Sequence, residues 1–578
     1  MSRLITISLA CLAIFTADAL ANAKGTAGAT RWEVTSPFSS IPPAGFVPVT
    51  LTAINGGSKP TTGKYRFNSS IGYSNGNNAT VASGTLQLPP NKAVTVTHWI
   101  WRGATYQDAY GQNFLRFNIE TSAGDSSDTL DSGTREDGRV AMSRRLAASS
   151  GNLGSAEERV VTFDPKSLPA DWRVFSSLKA VFMHSSDWDE LSPGVRDAMR
   201  TWIGFGGSVR IADTDPAIAN ATAEQLAPSD SVLGMFAPKL AVAGIQQNLV
   251  SGQVDQLLAG ADLVLAIGAP SEDTRRDNSY NRYNDYDEEK RRDQFPLRDK
   301  FGYRDIPYFF VCMLLIVFAV LVGPVALRLW AGPGKRHRLF FTTPVLSLGA
   351  SGLMLVLMLF QDGIGIDGRR FVLLDLAPAG SSQPNAIVYQ EQFSRAGMIG
   401  SRGFAIDEGL FPIVPAAALE EGLTVSDGRA RGDWFSSRRD RSLVLAGSVP
   451  VRWGVTHEGA TDKTVTLRLE SPLTDLEEAW FVDADGLVWM LDKSRPGEDG
   501  RLTFIPAGRD YDLFLKPLFA NSSRNLRDFV LKRALQKNQR NRFWALVEDG
   551  SAAAQQTDPK IDWRESNLVI TSKLTPKS

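Results

Sequence analysis

The chain has 578 residues, room for three or four ordinary domains, and its 43% apolar and 22% charged content is that of a globular protein, not a disordered or fibrous one. Lys and Arg number 62 against 63 Asp and Glu, a net charge of -1, so no polyanion partner is implied and a nucleic-acid role is set aside. The two cysteines, Cys11 and Cys312, both lie in apolar segments, and His98, His184, His337 and His457 are far apart, which excludes a disulfide framework and any Cys/His metal spacing. No cofactor is expected.

In chain order, residues 1–23 read as a secretory signal: Arg3 supplies the basic start, Leu4 to Phe15 the apolar run, and Ala21, Asn22 and Ala23 an A-x-A cleavage site. Ser8 stands where a lipoprotein signal would need leucine before Cys11. Residues 30–121 alternate short β-rich runs with turns. Phe46 to Ile54 alternates apolar and polar residues and ends in Asn55, Gly56 and Gly57, and similar runs follow at Lys64 to Phe67, Ala93 to Thr97 and Phe114 to Ile119. Strands at this spacing without helices predict a β-sandwich, and the pattern resembles the immunoglobulin-like modules of bacterial envelopes.

Between 138 and 270 the periodicity changes. Short apolar strands at Arg159 to Phe163 and Lys179 to Met183 precede Ser192 and Pro193, a cap and first-turn pair. Val195, Ala198, Met199, Trp202 and Ile203 then form one apolar helical stripe, and Gly206 and Gly207 end it before a strand at Ser208 to Ala212. A later strand is expected at Ala261 to Ile267. Strand, helix, strand with short apolar strands predicts a parallel α/β sheet. The strand ending at Met183, the helix start at Leu191 to Pro193, Trp202, and the glycine pair resemble the degenerate class I glutamine amidotransferase-like domain of bacterial membrane proteins that also carry a transmembrane hairpin.

Residues 271–305 are dense in charge and read as an exposed linker. Two apolar stretches within 306–360, Tyr308 to Leu327 and Leu339 to Phe360, are each near the ~20 residues that cross a bilayer. The loop between them holds Arg328, Lys335, Arg336 and Arg338 without an acid, around Gly332, Pro333 and Gly334, which places it in the cytoplasm. Phe309, Phe310 and Trp330 suit an aromatic belt. The expected product is therefore a two-pass protein of the bacterial inner membrane, with its N- and C-terminal parts in the periplasm and the lipid bilayer as a partner. Residues 361–545 are β-rich again, with Asp485 and Gly486 as a hairpin turn and an apolar stripe of Leu526, Phe529, Val530 and Ala534 on a late helix. Residues 546–578 read as a tail that frays from about Gln555. The fold class expected from all this is multidomain α+β: sandwich, amidotransferase-like α/β domain, transmembrane hairpin, and C-terminal β-rich region.

No catalytic, cofactor-binding or metal-binding residue is assigned. An active amidotransferase needs a nucleophile on a strand-to-helix elbow with a histidine oriented by a carboxylate, whereas the relevant strand runs into His184, Ser185, Ser186, Asp187, Trp188 and Asp189 with no cysteine. Loop capping by serine and aspartate accounts for that run better than a Ser/His pair. The glycine pair after the helix reads as a C-cap, not a phosphate cradle. Asp483 to Gly486 opens like a calcium loop, but Ser494 stands where the closing glutamate belongs. His98 has no evident partner, and Arg431, Gly432 and Asp433 form a tripeptide that chance often produces.

The leading functional expectation is a non-enzymatic, membrane-anchored binding or assembly component. The resemblance implies inner-membrane protein partners, since proteins of this layout resemble those found with chaperone-type ATPases and von Willebrand-type domains. Two alternatives are an extracytoplasmic hydrolase using carboxylates such as Asp187, Asp189 or Glu190, and a carbohydrate-binding accessory with Trp99, Trp101 and Trp480 as stacking platforms.

Overall fold

The computed structural model describes most of residues 23–222 and 339–574, together with 240–243, Leu297, 308–325 and Arg328. The leader up to Asn22, nearly all of the charged stretch 271–305, the basic loop 329–338 and the strand expected at Ala261 to Ile267 lie outside the described residues.

Eight antiparallel strands open the chain: β1 (Ala23–Ala27), β2 (Thr30–Thr35), β3 (Gly45–Asn55), β4 (Thr61–Ile71), β5 (Asn78–Leu88), β6 (Ala93–Arg102), β7 (Asn113–Thr121) and β8 (Gly124–Leu130). They form two sheets, β1-β2-β3-β6 and β5-β4-β7-β8. Period-two alternation makes them: Val47, Val49, Leu51 and Ala53 of β3 are buried, while Thr50 and Thr52 turn outward and meet Thr97 and Thr95 hydroxyl to hydroxyl. The rings of Trp32, Phe67 and Phe117 close the space between the sheets, with centroids 4.7 and 5.0 Å apart. His98 is buried there, with Nε2 2.6 Å from the Tyr65 hydroxyl.

The next sheet is short and parallel. Its strands are β9 (Val140–Ser143), β10 (Val160–Phe163), β11 (Ala180–His184), β12 (Ser208–Asp213) and β13 (Leu240–Ala243), in the order β10-β9-β11-β12-β13. Helices α1 (Arg144–Ser149) and α2 (Ser185–Glu190) each have six residues, and α3 (Pro193–Gly204) has twelve. Ser192 caps α3, and Val195, Ala198, Met199, Trp202 and Ile203 are its buried stripe. Gly207 is held against Trp202, where an added Cβ would come within 2.2 Å of the indole. This sheet joins the first strands directly, since Ser39 and Thr162 exchange hydrogen bonds and Ser176 Oγ accepts the Phe46 N–H.

Two further helices are α4 (Tyr308–Val320), followed by a π-helical turn at Leu321–Val325 that contains Pro324, and α5 (Leu339–Asp362), with Pro344 inside it. Fourteen C-terminal strands follow: β14 (Ile366–Leu376), β15 (Asn385–Ala396), β16 (Ser401–Ala405), β17 (Leu410–Ile413), β18 (Thr424–Ser426), β19 (Arg429–Phe435), β20 (Asp440–Pro450), β21 (Gly454–Ala460), β22 (Val465–Glu470), β23 (Glu478–Val482), β24 (Val488–Leu491), β25 (Arg501–Gly508), β26 (Arg542–Val547) and β27 (Ile561–Lys573), with α6 (Asp512–Leu518) before β26. Eleven of them make one sheet, β17-β20-β15-β14-β27-β26-β23-β24-β25-β22-β21, and β16-β19-β18 make a small one. Among the described residues of the large sheet only β14 and β27 run parallel. Residues read as a fraying tail thus supply an interior strand, because Leu568, Val569 and Ile570 need both faces of the sheet covered.

These observations correct the expected fold class. Among the described residues strand outweighs helix, 53% against 24%, so the chain is mostly β, not α+β. Among the described residues of 138–270 the helices along the parallel strands are short, with six, six and twelve residues, so the helix-covered α/β domain expected there is corrected.

The transmembrane hairpin is also overturned: among the described residues no helix is long and apolar enough to cross a membrane. The first apolar run is helical in α form for 13 residues only, about 20 Å at 1.5 Å per residue against the ~30 Å of a hydrocarbon core. The membrane and transmembrane assignment, and the two-pass inner-membrane location with periplasmic flanks, fall with the hairpin. Phe309, Phe340, Phe341, Val345 and Leu348 on these helices remain largely exposed.

Candidate functional site

The carboxyl ends of parallel strands are where ligands bind in open α/β sheets, because the loops and helix starts converge there. Here the last residues of three adjacent strands, Ser143 of β9, His184 of β11 and Asp213 of β12, come together. α2 starts from His184 and adds Ser185, Ser186, Asp187 and Glu190, and α1 adds Arg145. Ser143, Ser185, Asp187 and Asp213 form a buried polar floor. Arg145, His184 and Glu190 stand at the rim, with side chains 46%, 27% and 31% exposed.

The floor is a capping box. His184 Nδ1 accepts the Ser186 N–H at 3.2 Å, and the Asp187 carboxylate accepts the His184 N–H at 2.8 Å. Asp187 also accepts from the Ser143 hydroxyl at 2.5 Å and faces Arg145 Nη1 at 3.4 Å. Arg145 Nη2 reaches Glu190 at 2.5 Å, and Lys166 Nζ lies 3.6 Å from the same carboxylate. The hydrogen bond from Arg145 holds the Glu190 carboxyl below the usual range. Ser185 Oγ donates to Asp213, and Ser186 Oγ lies between Arg145 and His184 Nδ1, 2.8 Å from the latter. Because Nδ1 accepts a backbone N–H, the neutral ring carries its proton on Nε2, which lies 3.8 Å from Asp213 Oδ2.

This arrangement can bind polar groups more readily than it can catalyse. A general base needs a free lone pair, and that of Nδ1 is spent on the cap. A two-carboxylate hydrolase sets two acids on either side of the bond it breaks, whereas Asp187 and Glu190 share one guanidinium and Asp189 points to solvent. Among the described residues no group of three His, Cys, Asp or Glu side chains is placed to hold a metal ion. Sequence reasoning placed the run from His184 to Asp189 in a loop capped by serine and aspartate, whereas Ser185 to Glu190 is a helix whose N-cap is the His184 side chain, with Asp187 as its capping-box partner. It missed Ser143, Arg145 and Asp213, whose only sequence signal is that each lies at or just past the end of an apolar strand.

The other candidates resolve locally. Trp480 is buried and stacked on Phe514, and Arg173 lies 4.2 Å over the Trp99 ring, so neither offers an open stacking face; the Trp101 side chain lies outside the described residues. Asp483 Oδ1 accepts from the Asp485 and Leu487 N–H groups and Gly486 has φ +81°, a hairpin turn and not a calcium loop. Leu526 and Val530 face the core.

No family model matches the chain, and no curated protein does. Solved structures that match include a Paenibacillus cycloisomaltooligosaccharide glucanotransferase complexed with cycloisomaltoheptaose (13% identity, 31% of this chain and 27% of that one, TM-score 0.18). A calcium-binding mutant of Bacteroides uniformis β-glucuronidase 2 matches at 9% identity over 34% of this chain and 25% of that one, TM-score 0.14. A glycosyl hydrolase family 2 member from Bacteroides cellulosilyticus matches at 8% identity over 95% and 78%, TM-score 0.14. The chain thus spans about a quarter of the first two. It is similar to parts of carbohydrate-active proteins at scores too low to carry an argument about fold or activity.

Proposed function

We propose that this chain is a non-catalytic binding or assembly component that recognises a polar partner group at the carboxyl edge of its parallel sheet. One observation carries the reading: Asp187 and Glu190, the acids a hydrolase would use there, are both tied to Arg145. A carboxylate bonded to a guanidinium accepts further hydrogen bonds well, and the bond from Arg145 holds the Glu190 carboxyl below its usual range. The rim of Arg145, His184 and Glu190 offers a cation, an imidazole N–H and an anion along one edge of the sheet, a set suited to a zwitterionic or multiply hydrogen-bonding group.

Two measurements test this. The purified full chain is assayed against chromogenic esters, anilides and glycosides, with rates equal to buffer expected; turnover that disappears in Ser186→Ala or His184→Gln would overturn the reading. A photo-crosslinking residue in place of the exposed Asp189, in the producing cell, should yield one discrete adduct that is lost when Arg145→Glu is added. A diffuse smear, or an adduct indifferent to Arg145→Glu, would also overturn it.

A further inference from the structure

The large C-terminal sheet holds a second polar centre, unrelated to the His184 edge. Arg370 of β14 is fully buried, and its register neighbours are Gln392 on β15 and Ser566 on β27, whose side chains share its face. Nε donates to Ser566 Oγ at 2.7 Å, but Nη1 and Nη2, both buried, have no hydrogen-bond partner. The acceptors nearby are engaged elsewhere: Gln392 Oε1 accepts from Gln390, and Gln390 Oε1 accepts the Gln555 N–H. Neighbouring cations are neutralised, Arg369 by Glu565 and Arg564 by Asp367, whereas Arg370 has no carboxylate within ion-pair distance among the described residues. Buried guanidinium groups are ordinarily paired, since a lone buried charge is strongly unfavourable.

The surroundings are built around this cation. Trp563 lies 4.5 Å over the guanidinium, and it reaches there because residue 368 is glycine; a Cβ on Gly368 would come within 2.7 Å of the Trp563 ring. The register of β14 against β27 shifts at this point, between Gly368 and Arg369, an irregularity of the kind that re-aims side chains beside sites. Above it an exposed turn is fastened to the same Ser566, through the Gly550 N–H at 2.6 Å and a bridge from Asp549. Asp549 is exposed, and the Ser551 N–H that it accepts, with the Arg370 cation as a smaller influence, holds its carboxyl below the usual range.

We propose that the two unpaired guanidinium nitrogens of Arg370 are a receptor for an oxyanion, a carboxylate or a phosphate, admitted when the 549–554 turn lifts. Planar two-pronged donation to two oxygens of one anion is what this group does best, and stacking on Trp563 presets its plane. The ligand would replace the missing counter-charge, and Asp549, a like charge at the entrance, would weaken its binding.

The test uses the full chain at constant ionic strength, with chloride exchanged for inorganic phosphate, acetate or glucuronate and glucose as neutral control. Binding is read by calorimetry and by the thermal midpoint. Phosphate, or acetate together with glucuronate, should bind and stabilise the wild type, which separates the two sources; Arg370→Met should lose at least tenfold in affinity. Asp549→Asn, a surface change that tests the proposal even where Arg370→Met fails to fold, should bind the anion several-fold more tightly. The proposal is overturned if no oxyanion binds the wild type, if Arg370→Met binds as well, or if Asp549→Asn leaves affinity unchanged.

Discussion

Glu391 of β15 makes the stability of the C-terminal sheet depend on pH in an unusual direction. The carboxyl is fully buried and accepts from the Ser523 N–H at 2.6 Å and the Ser523 hydroxyl at 2.5 Å. Burial outweighs these bonds and raises its pKa from 4.5 to about 7. The folded state therefore holds the proton more tightly than the unfolded chain, so stability is fully present below about pH 4.5 and is lost as pH rises toward 7. A shift of about 2.5 units at 1.36 kcal/mol each is a loss of about 3 kcal/mol, or roughly 6–12 °C in the melting midpoint of a unit of 150–250 residues. Glu391→Gln removes the ionisation while keeping the shape and one acceptor. Thermal or urea unfolding at constant ionic strength from pH 4.5 to 8.5 should show the variant slightly less stable than wild type at the acid end and more stable above pH 7, with the curves crossing between. Parallel profiles for the two proteins would refute the reasoning, as would a difference of opposite sign.

Three further outcomes are expected. Asp375 and Arg542 form a buried ion pair at 3.3 Å, so Asp375→Leu alone should cost about 3–5 kcal/mol by stranding a cation, and Arg542→Met added to it should recover most of that in urea unfolding. Gly207→Ala drives a methyl into the Trp202 indole and should destabilise by about 1–3 kcal/mol, with a matching change in tryptophan fluorescence. Exposed Phe341 and Leu348 on α5 should make the purified chain self-associate, and Phe341→Glu with Leu348→Glu should lower the assembly's mass in light scattering.

Much of the local structure was legible from residue order. Ser192, the apolar stripe from Val195 to Ile203 and the turn at Gly486 follow from capping, 3.6-residue periodicity and positive φ, all of which depend on neighbours in sequence. The helix at Ser185 to Glu190 was read as a loop, because histidine at an N-cap is not a capping signal that a sequence pattern carries. The apolar run at 308–327 misled, because hydropathy registers length and greasiness but not where a π turn ends an α-helix. The tail was misread because Ile561 to Lys573 is an interior strand held between β26 and β14, the latter almost two hundred residues earlier.

By itself, then, the sequence determined near-neutral charge, the absence of cysteine and histidine clusters, and the caps, stripes and turns whose energetics are settled within a few residues. Tertiary structure alone decided the predominance of β-sheet, the parallel closure of β14 on β27, the meeting of Ser143, Arg145, His184 and Asp213 at one sheet edge, and the unpaired burial of Arg370. Strand pairing and desolvation couple residues of arbitrary separation, and their strength depends on what surrounds each group in space.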